Sequence, residues 1–377
     1  EKNFEYDINL YTPEYNEDSF GFNKYKKIVN SKFNIFEVSN GTNGTVNFGS
    51  INEWKKLSIN TARLINEIDY SKYDKVITIC NDTPYACLIN YLNDNKNHIK
   101  IWIPHSTIKI HEVDSAIPNS IEFYQLRLDW EMDSINYINK NSNCFVGCIC
   151  NYMKKHLLKE YNLSEEKAIN IFNGEILEEF IYEYSNKSLE LMKEIEKYDS
   201  ILISFARAEE YKNLEGTMYL GKELNIPTIV IAQYYYKEQP ILKEYVKISK
   251  ETGTHLYISP PFDFSKCILN NYKKNIILLV PSKREVMGLI INEARKLNKD
   301  NILIVSNNTG GLTEQIEDTK DGILIDIDDV KNSAIKIKKY FNSQSMKEMN
   351  KKSQKKLKRE YNFYNIINDL INTIVED

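Results

Sequence analysis

The sequence predicts an α/β protein made of two doubly wound parallel-sheet domains, and three observations carry that expectation. At 377 residues the chain is too long for one ordinary hydrophobic core. Short apolar runs alternate with segments of helical spacing, the pattern of parallel strands joined by crossover helices. An Asn-Gly turn signal at Asn173-Gly174 interrupts this alternation, which then begins again. The domain boundary is therefore expected near Asn173.

Composition narrows the function. The chain is 42% hydrophobic, as in a well-packed globular protein. No apolar stretch approaches the ~20 residues of a membrane span, and no secretory apolar segment opens the chain. The first residue is Glu rather than Met, which leaves room for native residues or a leader before it. A net charge of −4 argues against a general nucleic-acid binder. Six cysteines stand at 80, 87, 144, 148, 150 and 267. Cys144, Cys148 and Cys150 lie among Phe, Val and Ile without a nearby His or second Cys pair, so a buried strand of free thiols is expected rather than a metal site. Free thiols suit a reducing cytoplasm.

Taken in order, the first strand spans Tyr6 to Tyr11, followed by a polar loop (Thr12–Ser19), Phe20-Gly21, a helix to about Asn30 and a strand at Asn34–Val38. Asn40–Gly49 reads as a mobile loop. A helix over Ile51–Ile68, a strand at Lys75–Cys80, a helix over Pro84–Leu92 and a strand at Ile99–Pro104 come next. His105 follows that strand, where ligands sit in doubly wound sheets. A helix over Glu122–Asn139, a strand at Asn143–Ile149 and a helix over Asn151–Tyr161 complete the first half.

The second half restarts with a strand at Ile201–Phe205 and a turn, Ala206–Asn213, into a helix ending near Leu224. Arg207 and Lys212 stand on that turn. Two cations on a strand-to-helix turn could simply be solvated surface charges, although Arg offers a planar fork to phosphate oxygens and Lys a mobile point charge. Strands follow at Thr228–Ala232, His255–Ser259, Ile276–Val280 and Ile302–Ser306. Helices at Val330–Tyr340, Ser343–Tyr361 and Tyr364–Val375 close the chain. The Lys-rich run Lys347–Arg359 reads as a solvated helix face, and nothing indicates peripheral membrane contact.

The stretch that organises the chain is Pro281–Arg295, P-S-K-R-E-V-M-G-L-I-I-N-E-A-R. A turn after the Ile276–Val280 strand is expected to open a helix near Val286. Glu285 and Glu293, eight positions apart, would then share roughly one helix face, with Gly288 between them. A strand end, an open helix N-terminus and a glycine that admits close approach suit a sugar-phosphate ligand. The alternative is that both Glu side chains simply face solvent.

This segment resembles the E-x7-E motif of retaining GT-B glycosyltransferases, in particular glycosyltransferase family 4. Pro281 and Ser282 precede the first Glu, Gly288-Leu289 follow it, and Met287 stands where that family usually has Phe. Other stretches extend the resemblance. Arg207 and Lys212 match G-R-x-x-x-x-K-G, with Asn213 in place of the last Gly. Gly310-Gly311 and Glu314 match G-G-x-x-E, and Asp321–Ile325 matches x-G-x-L-V. Ile169–Gly174 is similar to the I-x-N-G-V-D linker, ending at Phe180, with Ile176 in place of the Asp. The first turn keeps only Gly21 of the family's Gly-Gly pair on the acceptor side.

The resemblance implies a GT-B fold: two Rossmann-like domains facing a central cleft, residues 1–172 for the acceptor and 173–361 for the donor. The last helix, 362–377, would cross back to the first domain through Ile366, Ile367, Leu370 and Ile374. It implies a retaining, metal-independent transferase that moves a sugar from a nucleoside diphosphate sugar, UDP favoured, without a cofactor. The acceptor (glycan, lipid, protein or small molecule) is not legible. Arg207 and Lys212 would clamp the diphosphate, Glu293 the ribose, and Glu285 with Met287, Gly288 and Leu289 the sugar. His105 would face that sugar, and Pro260-Pro261-Phe262 would lie near the nucleobase. Asp326-Ile327-Asp328 spells D-x-D, but its position before a helix suits capping better than a metal. A non-catalytic partner subunit and a nucleotide-sugar epimerase are the alternatives for this fold.

Overall fold

The structure, a computed structural model of the chain, describes residues 7–14, 34–42, 50–110, 120–178, 183–234, 239–298 and 300–375. The expected acceptor-side residue Gly21, the helix ending near Asn30, and Phe180 lie outside the described residues. The chain divides into two units. One comprises Glu1–Ile149, Met153–Ile171 and Thr373–Asp377, the other Cys150–Tyr152 and Phe172–Asn372.

In the first unit, β1 (Asn9–Pro13) pairs in parallel with β2 (Asn34–Val38). Helix α1 (Ile51–Asn66) starts after Ser50, whose side chain accepts the Glu53 N–H as an N-cap. There follow β3 (Val76–Asn81), β4 (His98–Ile103), α2 (Ser120–Lys140), β5 (Cys144–Cys148), α3 (Asn151–Glu160, whose first two residues count with the second unit) and β6 (Ala168–Asn170). Strands β3 to β6 form a parallel sheet in sequence order. The segment expected as an α-helix over Pro84–Leu92 is a 3-10 helix, Thr83–Tyr91. Its consecutive buried residues Ala86, Cys87, Leu88 and Ile89 leave it no polar stripe of α-helical period. All six cysteines are free and buried.

Strand β4 is buried along its whole length, including His98 and Lys100. The Lys100 ammonium survives there by donating to the Leu92 carbonyl at 3.0 Å, with Asp94 at 3.5 Å. His98 Nε2 lies 2.7 Å from Thr78 Oγ1.

In the second unit the order is α4 (Asn186–Ile195), β7 (Ser200–Arg207), α5 (Leu214–Leu224), β8 (Thr228–Gln233), α6 (Pro240–Thr252), β9 (His255–Ile258), α7 (Phe264–Asn271), β10 (Asn275–Val280), α8 (Leu289–Leu297), β11 (Ile302–Asn307), α9 (Leu312–Gln315), β12 (Ile323–Ile325), α10 (Val330–Tyr340), α11 (Ser343–Glu360) and α12 (Phe363–Val375), which counts with this unit as far as Asn372. The six strands are parallel in the order β12-β11-β10-β7-β8-β9. Successive residues face opposite sides. Ile203, Leu278 and Ile304 pack with Ile195, Ile268 and Ile291 on one face. Leu202, Ile277 and Leu303 pack with Leu224, Ala334 and Ile337 on the other.

Helices α4, α6 and α7 were not anticipated, although the sequence signals two of them. Ser185 caps α4, and α6 opens at Pro240 and is closed by Gly253, which takes φ +72°.

A pH dependence follows from β4. Burial, with the Lys100 charge adding to it, lowers the His98 pKa from 6.5 to about 4. The unfolded chain protonates this ring near its ordinary value while the folded protein keeps it neutral. Stability from this residue is therefore complete above pH 6.5 and is lost as the pH falls toward 4. Urea denaturation across that window should show the loss, and His98→Gln should flatten it.

Candidate functional site

The chain passes β7, β8 and β9 on one side of the second-unit sheet, then returns to lay β10, β11 and β12 on the other. The strand order thus reverses between β7 and β10. In open parallel sheets the loops beyond the carboxyl ends of the strands diverge at this point and leave room for a ligand. Arg207, Lys212, Glu285 and the Gly310-Gly311 turn, singled out from the sequence, lie there.

Strand β7 runs to Arg207, two residues beyond the expected end, so Arg207 closes the strand rather than standing on the turn. A 3-10 turn, Glu210–Lys212, leads to Asn213 at φ +52°. This left-handed conformation is one that Asn tolerates in place of Gly. Its Nδ2 donates to the Pro281 carbonyl at 3.2 Å, and the Lys283 N–H donates to the Tyr211 carbonyl at 2.8 Å. The loops after β7 and β10 are therefore tied side by side.

Helix α8 begins at Leu289, with Gly288 as its N-cap, three residues later than expected. Glu285 consequently lies in the preceding loop and does not share a helix face with Glu293. The reason is tertiary. The Gly288 N–H donates to Gln315 Oε1 at 2.8 Å, and Gln315 Nε2 donates back to the Gly288 carbonyl at 3.1 Å. That reciprocal pair holds the loop extended and occupies the N–H expected to be open for a ligand. Val286 and Met287 turn inward and are buried, so Met287 presents no side chain to the surface, whereas Leu289 is exposed.

Glu285 is placed against the clamp. Its Oε2 accepts from Lys212 Nζ at 2.6 Å and from Ser282 Oγ at 3.2 Å. Lys212 and Glu285 are 16% and 17% exposed, so the pair is shielded yet reachable. Arg207 is half exposed. Its Nη2 donates to the Tyr211 hydroxyl at 2.9 Å and lies 3.2 Å from Glu209 Oε2. Burial pushes the Tyr211 phenol well above its ordinary pKa, and the Glu209 carboxylate adds to the shift while Arg207 opposes it.

The Gly310-Gly311 turn forms the floor. The Gly311 N–H donates to the Glu285 carbonyl at 3.0 Å. A Cβ on Gly310 would stand 2.1 Å from that carbonyl oxygen, and one on Gly311 would stand 1.7 Å from the Val286 oxygen. Glu314 accepts the Asn151 N–H at 2.9 Å. Behind this floor Arg295, fully buried, donates to Ser353 at 2.9 Å and to the Gln315 carbonyl at 2.5 Å, with Asp321 at 3.4 Å.

The remaining candidates are dispersed. Glu293 sits on α8 and pairs with Lys266 at 3.4 Å. Phe262, between β9 and α7, is 84% exposed. Neither aspartate of the D-x-D string caps α10. Asp329 does so, accepting the Asn332 N–H, while Asp328 lies 3.6 Å from Lys283. His105 belongs to the first unit, where its Nε2 lies 2.9 Å from Asn81 Oδ1 at the end of the neighbouring strand. Its loop is secured by buried Glu131, which accepts the Ile108 N–H at 3.1 Å, Arg127 Nε at 2.8 Å and the Tyr161 hydroxyl at 2.5 Å. Ser282, Glu209 and Tyr211 were missed as site residues. Only their adjacency to Lys212 and Glu285 in the sequence could have suggested them.

The Gly floor sets a sharp expectation. Gly311→Ala forces backbone apart where no flexible side chain can yield. It should cost about 1–3 kcal/mol of stability and lower the melting temperature measured by calorimetry.

Residues 190–358 match the family model described as glycosyl transferases group 1. No curated relative matches the chain by sequence. Among solved structures, the chain is similar to sucrose-phosphate synthase from Thermosynechococcus elongatus, at TM-score 0.70 and 14% identity over 98% of this chain and 99% of that one. It is similar to HepE from Anabaena in complex with UDP and glucose, at TM-score 0.70 and 13% identity over 98% and 100%. A glycosyltransferase from Rickettsia africae gives TM-score 0.65 and 15% identity, covering 98% of each chain. The fold is accordingly that of the GT-B glycosyltransferases, with two Rossmann-like α/β units.

Proposed function

We propose that this protein transfers a sugar from a nucleoside diphosphate sugar to an acceptor, with retention of configuration and without a metal ion. The observation that carries the proposal is the Lys212–Glu285 pair, which joins the loops of β7 and β10 at the point where strand order reverses. A cation and a carboxylate held together there match the two halves of such a donor, one anionic and one rich in hydroxyls. The group 1 match over residues 190–358 supports the reading. So does the likeness to HepE, whose structures contain UDP and UDP-glucose, and a UDP-sugar is the donor we favour.

In this reading Arg207 and Lys212 hold the diphosphate, and their charge opposes the negative charge that grows on it as the glycosidic bond breaks. Lys212 leaves Glu285 for the phosphate, and Glu285 turns to the sugar hydroxyls. Glu293 accepts hydrogen bonds from the ribose. With no second carboxylate assigned a nucleophile's role among the described residues, reaction on the face of the leaving group through an oxocarbenium-like state is the route we propose.

Lys212→Ala and Arg207→Ala should each cost on the order of 2–4 kcal/mol in transition-state stabilisation, as for loss of one preorganised donor. The measurement is hydrolysis or transfer from a panel of nucleotide sugars, and unchanged turnover in both variants would remove the clamp assignment.

The two carboxylates should separate by assay. Glu293→Ala is expected to weaken UDP binding in calorimetric titration, because ribose contacts precede reaction. Glu285→Ala should leave that affinity nearly intact while transfer falls. The reverse pattern would exchange their roles.

Metal independence is tested directly. Transfer should persist in excess EDTA, and Asp326→Asn with Asp328→Asn should leave it standing. Activity abolished by EDTA and restored by Mn²⁺ would overturn both the site and the mechanism.

A further inference from the structure

The sheet of the second unit ends on two edge strands, β12 and β9, and the chain treats them differently. At β12 the Ile325 carbonyl accepts the Asn308 N–H just past β11, so the backbone of the preceding residue, Leu324, points outward. Side chains close that edge. Asp318 Oδ1 accepts the Leu324 N–H at 2.9 Å, and Lys336 Nζ donates to the Leu324 carbonyl at 2.8 Å. Asp318 and Lys336 also pair with each other at 2.7 Å. An edge plugged by charged side chains does not recruit another strand.

Strand β9, His-Leu-Tyr-Ile, has no such plug among the described residues. The Ser259 N–H donates to the Ala232 carbonyl at 2.9 Å. Alternate residues of a parallel ladder bond to the same neighbour, so His255 and Tyr257 turn their backbone to β8 while Leu256 and Ile258 turn theirs outward. Those outward N–H and C=O groups have no partner among the described residues. Ile258 is 38% exposed. A cavity of ≈ 460 Å³ opens along the strand, lined by Leu256, Tyr257 and Ile258 with Val246 and Ser249 of α6. The edge is thus open, made of residues that favour strands, and free of the lysine or proline that would blunt it.

We propose that β9 pairs antiparallel with β9 of a second copy of this chain, about a two-fold axis at Tyr257. The open groups set the register. With Leu256 opposite Ile258 of the second copy, and Ile258 opposite its Leu256, each pair exchanges two hydrogen bonds. A shift by one residue leaves the same groups unmatched. The pairing covers the exposed Ile258, and on the other face the two Tyr257 side chains meet as a non-hydrogen-bonded pair, the closer kind. The charges beside that face suit a copy rather than a strand of opposite charge. Lys193, Glu194 and Lys197 line a ≈ 330 Å³ cavity next to Tyr257, so the rim carries both signs and each Glu194 meets cations across the axis. The contact is isologous: it joins two six-stranded sheets into one and leaves neither β9 edge free. It does not depend on the donor site.

Sedimentation velocity of the full chain over a concentration series tests the pairing, and a concentration-dependent dimer is the expected result. Ile258→Pro removes an outward N–H while keeping the bonds to β8, a change that edge strands tolerate. It should weaken dimerisation roughly tenfold or more, the scale of one or two lost hydrogen bonds. Ile258→Lys puts a charge on the same edge with the backbone intact and should act alike; it decides the matter where circular dichroism shows that proline disturbs folding. Ile335→Lys, at a residue 67% exposed on α10, should leave the dimer unchanged. The register is read by Tyr257→Cys, since Cα atoms about 4.5 Å apart across the axis allow a disulfide between copies under mild oxidation. Tyr219→Cys, exposed on α5, should form none. A chain that stays monomeric at every concentration overturns the inference and leaves the edge to a strand of another protein. A dimer indifferent to Ile258→Lys, or weakened equally by Ile335→Lys, overturns it as well. A dimer lost in the Ile258 variants yet not cross-linked through Tyr257→Cys overturns the two-fold at Tyr257.

Discussion

The second unit depends on how closely two backbones approach beneath Glu285. Gly310 and Gly311 lie against the Glu285 and Val286 carbonyls at distances that leave no room for a Cβ. The Gly311 N–H bonds to the Glu285 oxygen, and the Gln315–Gly288 exchange closes the other side. These contacts keep the segment from Pro281 to Gly288 out of the helix and put Glu285 where it meets Lys212. Any larger residue in the Gly pair would separate the backbones and move the carboxylate away from the cation.

The same floor is supported from behind by an unusual charge. Arg295 is fully buried, and burial pulls its guanidinium below the ordinary arginine value while Asp321 opposes the shift. Its bonds to Ser353 and the Gln315 carbonyl join α8 to α11 and to the end of α9, the short helix that follows the Gly turn. Buried ion pairs contribute little net stability, but removing one partner is costly. Arg295 thus serves as a spacer of defined geometry, and its neighbour in sequence, Glu293, remains near the surface with Lys266.

In the first unit, buried polar groups play a comparable part. Glu131 gathers the Ile108 N–H, Arg127 and Tyr161 around one carboxylate, next to the loop that bears His105. Burial pushes that carboxyl up, with Arg127 the strongest of the contacts pulling it down. Two loops that follow strand ends, one in each unit, are thereby held by charges out of contact with solvent.

Much of this was legible in the sequence, because it rests on local periodicity. The parallel α/β character followed from the alternation of apolar runs with helical spacing. Strand Asn34–Val38 and helix Val330–Tyr340 were placed to the residue. Arg207, Lys212, Glu285 and the Gly pair were singled out by the resemblance of their segments to short motifs of the glycosyltransferase family. What only tertiary structure decided is where α8 begins and which groups remain available. A helical pattern from Val286 onward is compatible with the sequence, yet Gln315, 27 residues away, binds the Gly288 N–H and carbonyl and moves the helix start to Leu289. The pairing of Glu209 with Arg207 and the capping of α10 by Asp329 are local contacts, and there the neighbouring carboxylates Glu210 and Asp328 stood as close in the sequence. Sequence spacing states which residues share an element, but the partner of a polar group is set by which elements the fold brings together.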